Sequence, residues 1–353
     1  MLRTTTRLLA LLFATVLLAG CESLAFYRQA IAGQLDIWRR ARDLDVVLAD
    51  PQTPAATRTQ LELARRARVF AAEVLALPAD GSYRSYADLE RPYVVWNVFA
   101  TPALALEPVR SCFPFAGCLD YRGYFDQARA EAYAAALAAG GHDVYVGGVP
   151  AYSTLGWFDD PLLSTFVHWD EADVVELLFH ELAHQRLYVQ DDTAFNESYA
   201  SAVAAAGLER WFATRAGDAA RARAVRAARE AMTARILAAR AVLDELYAGE
   251  LDDAAKRARK AATLTALAGD LAAAAQRAGL AATPGAAWNN ARIAAVATYH
   301  DHEPAFRALL ALCNDDFACF HAAAARVGEL PPATREDCLA HLAGAEALPA
   351  CAR

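Results

Sequence analysis

The run His180-Glu181-Leu182-Ala183-His184 constrains this chain more than any other stretch of it. No Pro or Gly interrupts Asp173 to Gln190, and Val174, Val175, Leu177, Leu178 and Phe179 supply apolar residues ahead of the run, which predicts a helix. On a helix, residues four apart share a face, so His180 and His184 point the same way and can reach one ion. Glu181 then stands about 100° round the axis, beside that ion without occupying a coordination position. H-E-x-x-H on a helix is a pattern in which two imidazoles hold Zn²⁺ and the glutamate serves as general base.

Two imidazoles leave such a site incomplete, because a catalytic zinc takes three protein ligands and keeps one position open. Gln190 stands where a third histidine six residues on would be, so the remaining ligand must come from another element. Glu197 is the candidate. Between it and His184 the chain offers a last helical turn, a polar loop at Asp191-Asp192 and Thr193 as a cap. A second helix over Phe195-Asn196-Glu197-Ser198 would then run back along the first, and the small Ala200, Ser201 and Ala204 would let the two approach closely. Glu197 also reads as a first-turn carboxylate favoured by the helix dipole. Asp191 and Asp192 are alternative ligands, whereas Glu209 lies too far along the helix. Asn196 either bonds a ligand or caps its helix.

Other groups could complete such a centre. Tyr299 or His300 could place a phenol or imidazole against a developing oxyanion, or could be a packed tyrosine and a surface histidine. The stretch Gly147 to Gly156, with Gly147, Gly148 and Tyr152, reads either as an edge along which a peptide adds as a strand or as a tight turn.

Around the site the periodicity predicts an α+β, helix-dominant chain. Helices occupy 23–77, broken at Pro51 and Pro54, with a mixed face of Leu61, Ala64, Arg65, Arg68, Ala72 and Leu75 that reads as partly exposed. A small sheet occupies 92–160. Its expected parts are a strand over Tyr93–Phe99, a segment at Ala103 to Glu107 that continues or pairs with it, a helix over 123–139 and a strand over Asp143–Val146. The catalytic helices occupy 171–215. A helical bundle follows over 217–353, with breaks near Gly217, Gly249, Pro284, Pro304 and Pro331. Residues 21–353 read as one domain.

The N-terminus carries its own signal. Arg3 and Arg7 precede a short apolar run, Leu8 to Leu18, which ends in Leu18-Ala19-Gly20-Cys21 and resembles a bacterial lipobox. Residues 1–20 are expected to be a leader and Cys21 the site of lipidation. Glu22, not Asp, follows it, which points to the outer membrane with the chain on the periplasmic side. The other cysteines, Cys112, Cys118, Cys313, Cys319, Cys338 and Cys351, fall into three sequence-local pairs that suit disulfides in an oxidising compartment. Sequence alone permits about fifteen connectivities for six cysteines, and local pairing is the simplest. The net charge of −8 argues against a nucleic-acid binder, and Arg221, Arg223, Arg226 and Arg229 read as a solvated helix face.

Several of these runs together are similar to a known family. They are Tyr145 to Phe158, His180 to Gln185, Asp192-Thr193-Ala194-Phe195-Asn196-Glu197-Ser198, Cys112 to Cys118 and Asn289-Asn290-Ala291. They resemble the bacterial putative aminopeptidase family of zinc lipoproteins. The resemblance implies a gluzincin-like metallopeptidase with Glu197 as third ligand, a peptide as substrate and a lipid anchor in the membrane. The exopeptidase expectation comes from the family name alone. Tyr199 departs from the phenylalanine expected there. Two other readings stand beside it: a non-enzymatic envelope lipoprotein with a structural or vestigial zinc site, and a zinc amidase acting on cell-wall peptides.

Overall fold

The computed structural model describes residues 26–353 apart from 79–80, 114–116, 152–153, 155–156, 214, 281–286 and 301, and without the side chains of 216–219, 299 and 300. The leader, Cys21, Tyr152 and the side chains of Tyr299 and His300 therefore lie outside the described residues.

Helix α1 (26–40) is followed by β1 (Arg42–Asp43), α2 (Leu44–Ala49) and α3 (Ala55–Leu75). Pro54 caps α3, and Ala76 ends it in the left-handed region. As the sequence marks, α3 is partly exposed, with Arg65, Val69 and Ala72 open, while Leu61, Ala64, Ala67, Ala71 and Leu75 form its buried stripe. Small alanines between the leucines let α3 lie close to the helix that carries the histidines.

Strand β2 (Ser85–Ala87) joins β1 and β8 (Leu162–Leu163) in one small sheet. A second sheet has the order β6-β3-β7, from β6 (Arg122–Tyr124), β3 (Val95–Pro102) and β7 (His142–Val149), all antiparallel. Helix α4 (Gln127–Ala139) lies across it, with Asp126 accepting a bond from the Arg129 amide at the cap. Three expectations are corrected here. The segment 103–107 is no strand, because β3 ends in a turn after Pro102. Residues 123–124 are strand rather than the start of a helix, because they pair with Asn97 and Trp96. Strand β7 runs on through Gly147 and Gly148, which pair with Asn97 and Trp96, where the sequence suggests a turn. Strand pairing supplies backbone partners that local propensity does not register.

The hairpin β4 (Ser111–Phe113) and β5 (Gly117–Leu119) is closed by the Cys112–Cys118 disulfide. Two further disulfides join Cys313 to Cys319 and Cys338 to Cys351. The rest is helical: α5 (Glu171–Arg186), α6 (Thr193–Phe212), α7 (Ala216–Ala248), α8 (Asp253–Ala278), α9 (Asn290–His300), α10 (Glu303–Leu312), α11 (Phe317–Gly328) and α12 (Pro332–Leu342). Gly217 does not break α7; it lies in that helix's first turn, where a glycine costs little.

The largest core joins α3, α5, α6, α10, α11 and α12. At its centre Tyr199 donates to His321 Nδ1 at 2.7 Å, and His321 Nε2 donates to the Leu75 carbonyl at 2.8 Å. That network is the physical account of the tyrosine at position 199. Close approach is enforced at Gly207 of α6, where a Cβ would lie 2.7 Å from both Leu75 Cδ1 and Phe179 Cδ2. Gly207→Val is therefore expected to destabilise the fold by about 1–3 kcal/mol in urea unfolding. Burial pushes the His321 imidazole down to about 4 against a modest upward pull from the Leu75 carbonyl. Below the ordinary value near 6.5 the unfolded chain binds a proton that the folded chain refuses. This group should thus remove roughly 3 kcal/mol of stability between pH 6.5 and 4. Unfolding measured across that window should flatten in His321→Gln.

Candidate metal centre

Helix α5 is oriented from its first turn. Glu171 and Asp173 sit where the helix dipole favours carboxylates, and both are tied to other helices. Trp211 Nε1 donates to Glu171 at 2.7 Å, and Arg229 pairs with Asp173 at 2.6 Å. The last turn holds His184 and Arg186. The chain then turns back through 187–192. Asp191 adopts the left-handed conformation and accepts from the Cys118 amide, which docks the β4–β5 hairpin onto this loop. Asp192, not Thr193, caps α6 by accepting from the Phe195 amide at 3.0 Å, and its carboxylate also pairs with Arg335. Asn196 clasps the loop twice: its Oδ1 accepts from the Val189 amide and its Nδ2 donates to the Val189 carbonyl, each at 2.7 Å. Both aspartates that rivalled Glu197 are thus engaged in building the turn.

The turn places Glu197 against the histidines. His180 Nε2 lies 3.2 Å from Glu197 Oε2, His184 Nε2 lies 3.5 Å from the same oxygen, and the two Nε2 atoms are 3.1 Å apart. These three residues form a group that could hold a metal ion, with their ligand atoms within 4.8 Å of one another. The donor set fits a cation. Two neutral imidazole nitrogens at this separation present lone pairs to one another, which is unfavourable unless a proton or a metal lies between them. Among the described residues no fourth His, Cys, Asp or Glu joins the group.

The carboxylates respond to this setting in opposite ways. Burial acts to raise Glu197, but His184 and His180 outweigh it and hold that carboxyl down at about 2. Glu181 is buried beside the triad, and burial pushes its carboxyl up to about 7; His180 opposes the rise, while Glu197 and Asp160 add to it. Asp160 is itself held in place, accepting from the Thr154 amide at 2.9 Å and from Gln185 at 3.2 Å. A fixed carboxylate next to Glu181 is a device the sequence does not reveal, since 20 residues separate Asp160 from His180.

A cavity of about 1630 Å³ opens onto the group. His180, Glu181, His184 and Glu197 line it together with Tyr121, Tyr188 and Glu176. Burial raises both phenols, and the neighbouring Glu197 carboxylate adds to the rise, so each is a neutral hydroxyl donor at ordinary pH. Neither tyrosine belongs to the predicted site. Tyr188 could have been found from its position four residues beyond His184; Tyr121 could not, because the strand pairing of β6 brings it in. Gly147 and Gly148 line a second cavity of about 1390 Å³, while the next residue of the same strand, Val149, lines both. Strand β7 is an edge of its sheet.

The family model described as "Putative aminopeptidase" matches residues 25–339 of the 353. No curated protein and no solved structure matches the chain. The matched stretch takes in the histidine helix, the returning helix with Glu197 and the sheet beside them, and the chain belongs to the putative aminopeptidase family.

Proposed function

We propose that this protein is a zinc-dependent peptidase that removes residues from the free N-terminus of peptides, on the periplasmic side of the outer membrane and anchored there by lipid at Cys21. One observation carries the reading: His180, His184 and Glu197 converge from two helices on one point beside a buried Glu181. Zinc bonds of about 2.0–2.1 Å in a tetrahedral arrangement set ligand atoms about 3.3 Å apart. The three separations of 3.1, 3.2 and 3.5 Å suit that spacing. Three ligands rather than four favour a catalytic over a structural ion.

When bound, zinc supplies a Lewis acid that acidifies water and polarises the scissile carbonyl. Glu181 removes the proton from the attacking water and returns it to the leaving amine. Its raised carboxyl suits both halves of that transfer. Tyr121 and Tyr188 offer hydroxyls to the oxyanion. The main chain of the peptide lies along the open edge of β7 near Val149, as an added strand. Glu176 stands one helical turn before His180 and lines the same cavity. A carboxylate there suits the free α-ammonium of a bound peptide, which is the interaction an aminopeptidase requires.

The anchor rests on the lipobox-like Leu18-Ala19-Gly20-Cys21. No helix among the described residues is long and apolar enough to cross a membrane. Glu22 favours the outer membrane, with the catalytic part in the periplasm, where the three disulfides are stable.

Glu181→Gln is expected to retain one zinc per chain by elemental analysis while peptide hydrolysis falls by at least about 10³-fold. Glu197→Ala should lose the metal, with affinity weakened about 100-fold or more by competition with a chelator. Zinc-loaded wild type that releases nothing from a broad peptide library, read by mass spectrometry, would refute the enzyme reading. Glu176→Gln should raise KM for free peptides about tenfold or more and leave any cleavage of N-acetylated peptides unchanged. Equal effects on both would deny it the ammonium.

A further inference from the structure

Helix α1 has two faces of opposite character. Gln29, Gly33 and Ile37 are buried, with Gln29 accepting from the Phe125 amide at 2.9 Å and the Phe125 ring seated against Gly33. The opposite face carries Ile31, Leu35 and Trp38, spaced as one helical stripe and exposed at 60%, 38% and 38%. The stripe continues onto a separate segment. Trp38 meets Phe158 edge to face at 4.7 Å between ring centroids, and Trp157 beside it is 81% exposed, the most open large apolar side chain described. Arg28 and Arg39, both exposed, flank the stripe on one side. Isolated exposed apolar residues need no explanation, but a contiguous set with two tryptophans and basic flanks has the character of a membrane-interface surface.

We propose that this surface, Ile31, Leu35 and Trp38 of α1 with Trp157 and Phe158, rests on the anionic lipid surface in which the same chain is anchored. The inference builds on the lipid-anchor reading above. Cys21 precedes Phe26 by five residues, which at about 3.3–3.6 Å each keeps the start of α1 within about 18 Å of an acyl chain at Cys21. A surface tethered that closely meets the bilayer whenever the molecule tilts. The tryptophans suit the headgroup level and the arginines suit anionic headgroups. Contact at this face would fix the orientation of the chain on the bilayer.

The test uses the full chain made with its own leader, purified from membranes and reconstituted into vesicles containing phosphatidylglycerol and lipids brominated near the headgroup. Its six tryptophans report contact through quenching by bromine. The expected result is quenching in the wild type and loss of most of it in the W38F/W157F double variant, with unchanged thermal unfolding. Absence of quenching in the wild type, or equal quenching in the double variant, overturns the proposal. The mass of the N-terminal fragment separately reports acylation of Cys21. If Cys21 is unmodified, the anchor reading fails, and quenching by added vesicles still decides whether this face binds lipid. A concentration-dependent dimer that disappears in I31S/W157S would assign the face to a second copy of the chain and equally overturn it.

Discussion

Three ligand atoms can stay within 3.5 Å of one another on two different helices only if those helices cannot slide or rotate. That constraint organises much of the molecule. The reversal between α5 and α6 is closed by Asn196, whose amide meets both backbone groups of Val189, and is capped by Asp192. The interhelix distance is set farther along, where Gly207 admits Leu75 and Phe179. Tyr199 and His321 bind the same helix to α3 and α11 through a buried network with the Leu75 carbonyl. Each device is small, at about 1 kcal/mol for a typical hydrogen bond. Together they fix a geometry in which an error of about 1 Å would lose a ligand.

Electrostatics separates the two carboxylates that share this space. Glu197 meets both imidazoles and is held ionised. Glu181, one residue from His180 and equally buried, is pushed up to about 7 by that burial, with His180 opposing and Glu197 and Asp160 adding to the rise. The opposing shifts suit the roles proposed for them, a ligand that stays an anion and a base that exchanges its proton. The surrounding cavity is large enough for several residues of a peptide, and its wall mixes apolar side chains with tyrosine hydroxyls.

The fold differs from its sequence-based expectation where non-local pairing decides. Residues 123–124, expected to begin a helix, are strand against β3. Gly147 and Gly148 weaken a strand on propensity and are nevertheless paired, with Tyr93 packed over Gly148. In each case the deciding partner lies tens of residues away, beyond any local window.

The sequence by itself determined the helix bearing His180, Glu181 and His184, because a spacing of four and uninterrupted helix formers are local properties. It also determined that a second helix follows within a short turn, and it proposed Glu197 among three carboxylates. Only the tertiary structure decided among them. Asp191 and Asp192 are consumed by backbone amides and an arginine, and Glu197 alone meets both imidazoles. It alone supplied Tyr121 and Asp160, and it decided that Gly147 and Gly148 continue an edge strand, since distance through space between separate elements is not written in the spacing of residues along a chain.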